Sequence, residues 1–157
     1  MGTRSMIAIQ NPYSKDVRAV YCHWDGYLEH NGSLLHKHYS NSSKVNNLIA
    51  LGDISSLRPE IGAGHPFSQF DTTMTTEEFD ALYGEMTTFY GRDRKESGCN
   101  AKKFKDYADY VAYHQYEEYE YILRACGDKA VWFVKCHSED WKTLEQALIE
   151  ETTGEIA

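Results

Sequence analysis

The chain has no P-loop, no HExxH, no GxSxG and no glycine-rich turn leading from a strand into a helix. The usual phosphate cradle, zinc-protease site and serine-hydrolase elbow are therefore missing as motifs, and enzyme chemistry has no positive signal behind it. No apolar run approaches the roughly 20 residues that a membrane span needs. The opening MGTRSMIAIQN returns to polarity after a short apolar run, so no signal peptide is expected. Four cysteines, Cys22, Cys99, Cys126 and Cys136, form no CxxC pair. Reduced thiols and a cytoplasmic location, with no cofactor, are the expectation. Positive charge is also scarce: 16 Lys and Arg against 24 Asp and Glu leave a net charge of −8. Such a balance disfavours duplex nucleic acid as the main partner, because phosphate binding needs a basic surface. A small anion in one local basic pocket remains compatible with it.

A chain of 157 residues is read as a single domain able to bury a full core without a disulfide or metal. The expected class is α+β, with a mostly antiparallel sheet of about four or five strands and helices on one face. RSMIAIQN and VRAVYCHW read as an N-terminal β-hairpin over about 5–24. Met6, Ala8 and Gln10 alternate there with Ile7 and Ile9, while Val17, Ala19 and Tyr21 alternate with Val20, Cys22 and Trp24. SLLHKHY and SSKVNNLIAL read as two short helices, the second capped by Ser42 or Ser43 and stopped by Gly52. Residues 55–76 hold two of the three prolines and show no steady period, which predicts a long loop.

TTEEFDALYGEM has a capping pattern and reads as a helix, and TTFYGRDRKESG as a strand end followed by a charged turn. AKKFKDYADYVAYHQ has the clearest helical stripe, in Phe104, Tyr107, Ala108 and Val111. Two apolar arms around Gly127-Asp128 predict a C-terminal hairpin over about 118–137. A C-terminal helix over about 139–151, with Ser138 at its N-cap, completes the reading.

Five groups of residues invite a chemical reading. Cys22-His23 and Cys136-His137 are Cys-His dipeptides near strand ends, and four such ligands would suit tetrahedral zinc if the two strands were neighbours. Against this, adjacent strand residues point to opposite faces, and Cys22 and Cys136 read equally as small buried hydrophobes. Cys99, close in sequence to Lys102 and Lys103, is a candidate nucleophile without an identifiable base.

Aromatic residues are abundant, with twelve tyrosines. Tyr107, Tyr110, Tyr113, Tyr116 and Tyr119 recur every three residues, a step that drifts by about 60° on a helix of 3.6 residues per turn, so they cannot all face the core. They are read either as packing at a helix margin or as a binding surface. In YGRDR, Tyr90 stands beside Arg92 and Arg94, whose guanidinium forks suit phosphate or carboxylate; a solvated turn with internal Arg-Asp pairing is the alternative. In CHWDGY, Trp24 and Tyr27 bracket Asp25-Gly26, where Asp25 can bond its own backbone and Gly26 is expected to supply an unusual φ. The pair could also clamp a planar ligand.

The stretches TRSMIAIQN, VRAVYCHWDGYLEHNG, LLHKHY and NLIALGDISSL, together with YGRDR, resemble a family of small proteins encoded by bacteriophages and prophages. The resemblance covers about the first 60 residues and the YGRDR turn, and the family carries no settled activity. It implies the cytosol of an infected bacterium. The leading expectation is an accessory binding protein that sequesters a small anionic or nucleotide-like signal to counteract host defence, through Trp24, Asp25, Tyr27, Tyr90, Arg92 and Arg94. One alternative is an inhibitor that meets a host defence protein through an acidic, Tyr-rich surface. Another is a metal-assisted enzyme using His23 and Asp25. A homo-oligomer stays open.

Overall fold

The computed structural model describes residues 3–113, 118–137 and 139–153. Among them lie eight strands and six α-helices, built as α+β around one mixed sheet. Strands β1 (Ser5–Gln10) and β2 (Val17–Cys22) form the expected N-terminal hairpin, in register at Ile7 with Val20 and Ala8 with Ala19. Strands β6 (Tyr119–Cys126) and β7 (Lys129–Cys136) form the second hairpin, with Gly127 at φ 67° in its two-residue turn. The two hairpins join through a parallel pairing of β1 with β6. The remaining strands are short: β3 (Ile54–Ser56), β4 (Thr88–Phe89), β5 (Lys102–Phe104) and β8 (Lys142–Thr143). The order is β4-β3-β2-β1-β6-β7-β8, with β5 pairing β2 at Val17–Ala19.

The sheet thus has more strands than the four or five expected, and parallel pairs at β1–β6 and β2–β3 make it mixed. Strands of two or three residues carry no readable alternation, so the sequence pattern could not announce them.

Helices also lie on both faces rather than one. Ile7, Ile9, Val20 and Cys22 pack against Leu35 of α1 (Ser33–His38), Val45, Leu48 and Ile49 of α2 (Ser42–Ala50), and Leu144 and Ala147 of α6 (Leu144–Thr153). Met6, Ala8, Val17, Ala19 and Ile122 pack instead with Phe104 and with Tyr110 of α5 (Tyr107–Ala112). The reason lies in β1, where five of six residues are buried and both alternating sets are apolar; such a strand needs cover on each side.

Several boundaries differ from expectation. KKF of AKKFKDYADYVAYHQ is β5, and Asp106 caps the shorter α5 by accepting the Asp109 N–H. Asn41, rather than Ser42 or Ser43, caps α2, because its carboxamide reaches both the Ser43 and Lys44 N–H groups. The C-terminal helix begins at Leu144, after β8; the proposed cap Ser138 lies outside the described residues, as does Tyr116. The long loop persists from β3 to α3 (Thr76–Tyr83), interrupted by one 3₁₀ turn at Gln69–Asp71. YGRDR is the five-residue helix α4 (Tyr90–Arg94). No described helix is long and apolar enough to cross a membrane.

Candidate ligand site

CHWDGY runs on from β2 beside β3: the His23 and Trp24 N–H groups donate to the Ile54 and Ser55 carbonyls, both at 3.0 Å. Asp25, not Gly26, takes the left-handed backbone, at φ 55°. Gly26 is required for space. Its N–H donates to Thr3 O at 2.8 Å, its carbonyl accepts the Tyr121 hydroxyl at 2.6 Å, and a Cβ there would come within 2.7 Å of the Ser5 Cβ. Beneath it, the buried Asn31 amide donates to Ser5 Oγ at 3.3 Å, Cys22 Sγ at 3.3 Å and Trp24 O at 3.4 Å. This block is therefore tied to the start of β1 and to β6. Trp24 keeps 42% exposure and meets the His23 ring edge-on, while Tyr27 faces His30.

The Cys-His dipeptides do not meet. Strands β1 and β6 separate the end of β2 from β7, about 14 Å at the usual strand spacing. Among the described residues no three His, Cys, Asp or Glu side chains gather as a metal-binding group. Burial pushes the thiols of Cys22 and Cys136 up to about 11, which makes both inert. Cys99 is also shifted upward, first by burial and then by Glu96 and Asp53, the opposite of what an activated nucleophile needs. All four cysteines are free; Cys126 is exposed, Cys99 half-buried, and Cys22 and Cys136 buried. Thiol titration is accordingly expected to count four groups in denaturant and one fast group, Cys126, in the native protein. A denatured count of two would contradict this assignment.

The two arginines of α4 have different surroundings. Arg92 donates through Nη1 to Ile61 O and Gly62 O, at 3.1 and 2.9 Å, and through Nη2 to Thr87 O at 3.0 Å. Its Nε and Nη2 also meet the two carboxylate oxygens of Asp93, at 3.0 and 3.2 Å. The fully buried Asp93 carboxylate accepts the backbone N–H groups of His65 and Phe89 as well, at 3.1 and 2.8 Å. The His65 ring lies between Pro66 O and Thr87 O and stacks on Tyr83. This cluster fastens the root of the long loop to α4, and it leaves Arg92 turned inward.

Arg94 faces outward. Its side chain is 56% exposed, its guanidinium lies 5.1 Å from the Phe67 ring centre, and Nε approaches Glu96 at 3.6 Å. Phe67 and Tyr90 are ring neighbours at 5.6 Å, and the Tyr90 hydroxyl bonds the Ser55 side chain. Burial raises the Tyr90 phenol, so it acts as a neutral donor and ring surface. Beside them an open depression of about 470 Å³ is lined by Phe67, Ser68, Asp71, Asp93, Arg94 and Lys95.

Of the six expected ligand residues, Tyr90 and Arg94 thus come together at Phe67. Trp24 and Tyr90 each bond Ser55, the first at its carbonyl and the second at its side chain, and Trp24, Asp25 and Tyr27 line none of the described depressions. Phe67, Ser68, Asp71 and Lys95 escaped the sequence reading. An aromatic residue stranded in an aperiodic Pro/Gly loop, with no stripe to bury it, was the available signal for Phe67.

A second depression, of about 280 Å³, lies at the other end of the sheet, with Ile9 and Leu123 among its apolar lining and Arg18, Asn46 and Asp16 among its polar lining. Compared with known proteins, the chain matches no family model, no curated protein and no solved structure.

Proposed function

We propose that the protein is a non-catalytic binding protein for a small anionic ligand with a planar ring, nucleotide-like in chemistry, seated at Phe67, Tyr90 and Arg94. The observation that carries this reading is the exposed Arg94 guanidinium lying on Phe67 next to Tyr90 at the rim of the depression. A guanidinium held on a ring offers a flat cationic surface for stacking and free edge donors for phosphate. Lys95 adds a second positive charge at that rim, and Ser68 and Asp71 can take the hydroxyl and amino donors of a sugar or base. In the phage context that the resemblance implies, such a protein would act by sequestering a nucleotide signal of the host.

Calorimetry with AMP and with a cyclic purine dinucleotide tests the reading. Losing one charge-assisted contact costs about 1.5–3 kcal/mol, which is at least about tenfold in affinity. Arg94→Ala should show that loss with an unchanged melting temperature, and Phe67→Ala should lose stacking in parallel. No heat with either probe, or affinity untouched by both substitutions, would refute the assignment.

A further inference from the structure

Residues 59–91 contain Glu60, Asp71, Glu77, Glu78, Asp80 and Glu85 and not one Lys or Arg. This one stretch therefore supplies six of the eight excess negative charges of the chain. Its root is fixed by the Arg92–Asp93–His65 cluster and by the pairing of Glu60 with Met86. Its tip is not packed into the core. Helix α3 holds a full capping box between Thr75 and Glu78 but has no buried residue.

Phe79 and Tyr83 turn toward the root, Tyr83 stacking on His65 and Phe79 meeting Tyr83 edge-on. Phe70, at 91% exposure, and Leu82, at 56%, stand in solvent. The Thr76 hydroxyl bonds the Gln69 side chain at 2.7 Å and so joins the turn that carries Phe70 to the first turn of α3. None of the described ion pairs involves Glu77, Glu78, Asp80 or Glu85.

We infer that the outer part of this acidic arm, helix α3 with the turn that carries Phe70, is a docking surface for a basic polypeptide segment with apolar anchors. Large apolar side chains left in water on a scaffold fixed at its root supply the anchors that a protein contact buries. The uncompensated charge around them selects the partner. Phosphate backbones and anionic lipid surfaces are repelled, while a Lys- or Arg-rich chain is steered in and neutralises carboxylates that form none of the described ion pairs. Phe70 and Leu82 would enter the partner's apolar positions, and the carboxylates would form the rim.

The test uses the full chain and three short synthetic peptides, one of Lys and Leu, one of Lys and Ser, and one of Glu and Leu, each with the same spacing. The Lys/Leu peptide should bind with an affinity that falls steeply between about 50 and about 300 mM salt. The Lys/Ser peptide should bind more weakly and the Glu/Leu peptide not at all. Phe70→Ser with Leu82→Ser, and separately Asp80→Lys with Glu85→Lys, should each weaken Lys/Leu binding by at least about tenfold. Both pairs lie on the surface, and an unchanged melting temperature will show that the fold is kept. Absent Lys/Leu binding, equal binding of the Glu/Leu or Lys/Ser peptide, or an affinity indifferent to both double substitutions would overturn the inference.

Discussion

Asp93→Ala is expected to cost about 3–5 kcal/mol of folding stability, the range for removing one partner of a buried ion pair. The Asp93 side chain has no exposure and the Arg92 side chain is 15% exposed. Without the carboxylate, the Arg92 guanidinium loses its counter-charge, and the N–H groups of His65 and Phe89 lose their acceptor. At roughly 2–4 °C per kcal/mol for a chain of this size, the melting temperature should drop by about 6–20 °C. Asp93→Asn keeps an acceptor and the shape, so its cost should be nearer about 1–3 kcal/mol. Arg94→Ala, one residue on, should stay within about 0.5 kcal/mol of the parent, as exposed substitutions usually do. Urea unfolding of the three variants checks the order. Equal effects of Asp93→Ala and Arg94→Ala would remove the distinction between a clamp and an open platform.

Gly52→Ala should be comparably damaging for a different reason. Gly52 follows α2 with φ at 86°, and a Cβ there would overlap the carbonyl oxygen of Cys99. The left-handed backbone costs a side chain about 1–2 kcal/mol, and overpacking against main chain adds about 1–3 kcal/mol. That same carbonyl accepts the Asp53 N–H at 2.7 Å, so yielding would disturb the start of β3. A combined loss of about 2–5 kcal/mol is expected, measured as a lower urea midpoint. Gly98→Ala is the useful comparison: it has φ at 76° but nothing within 4 Å, so it should show the conformational cost alone.

What the sequence disclosed follows from how far each signal reaches along the chain. Both hairpins were legible because Ile7, Ile9, Val20 and Cys22 alternate strictly and Gly127-Asp128 marks a two-residue turn. The parallel pairing of β1 with β6 was not, since it joins Ser5 to Tyr119 across most of the chain. AKKFKDYADYVAYHQ misled because Phe104 fits a helical stripe and a strand equally well; its pairing with Val17 decided the matter. The tyrosines spaced by three mostly serve packing. Tyr110 is fully buried against Phe104, Tyr107 meets Trp141, and Tyr119 stacks on Tyr121.

At the proposed site, YGRDR alone put Tyr90 and Arg94 forward as candidates. The opposite orientations of Arg92 and Arg94 were not. They depend on the carbonyls of Ile61 and Gly62, which the long loop brings back only in three dimensions.

Mapping where a nucleotide binds tests the central claim most directly. In a titration of isotope-labelled protein with AMP, followed by backbone amide shifts, saturable changes should concentrate at Phe67, Ser68, Asp71 and Tyr90 through Lys95. Amides of Arg18, Asn46 and Leu123, around the second depression, should stay still. Shifts concentrated at that second depression, or none at all up to millimolar AMP, would contradict the account.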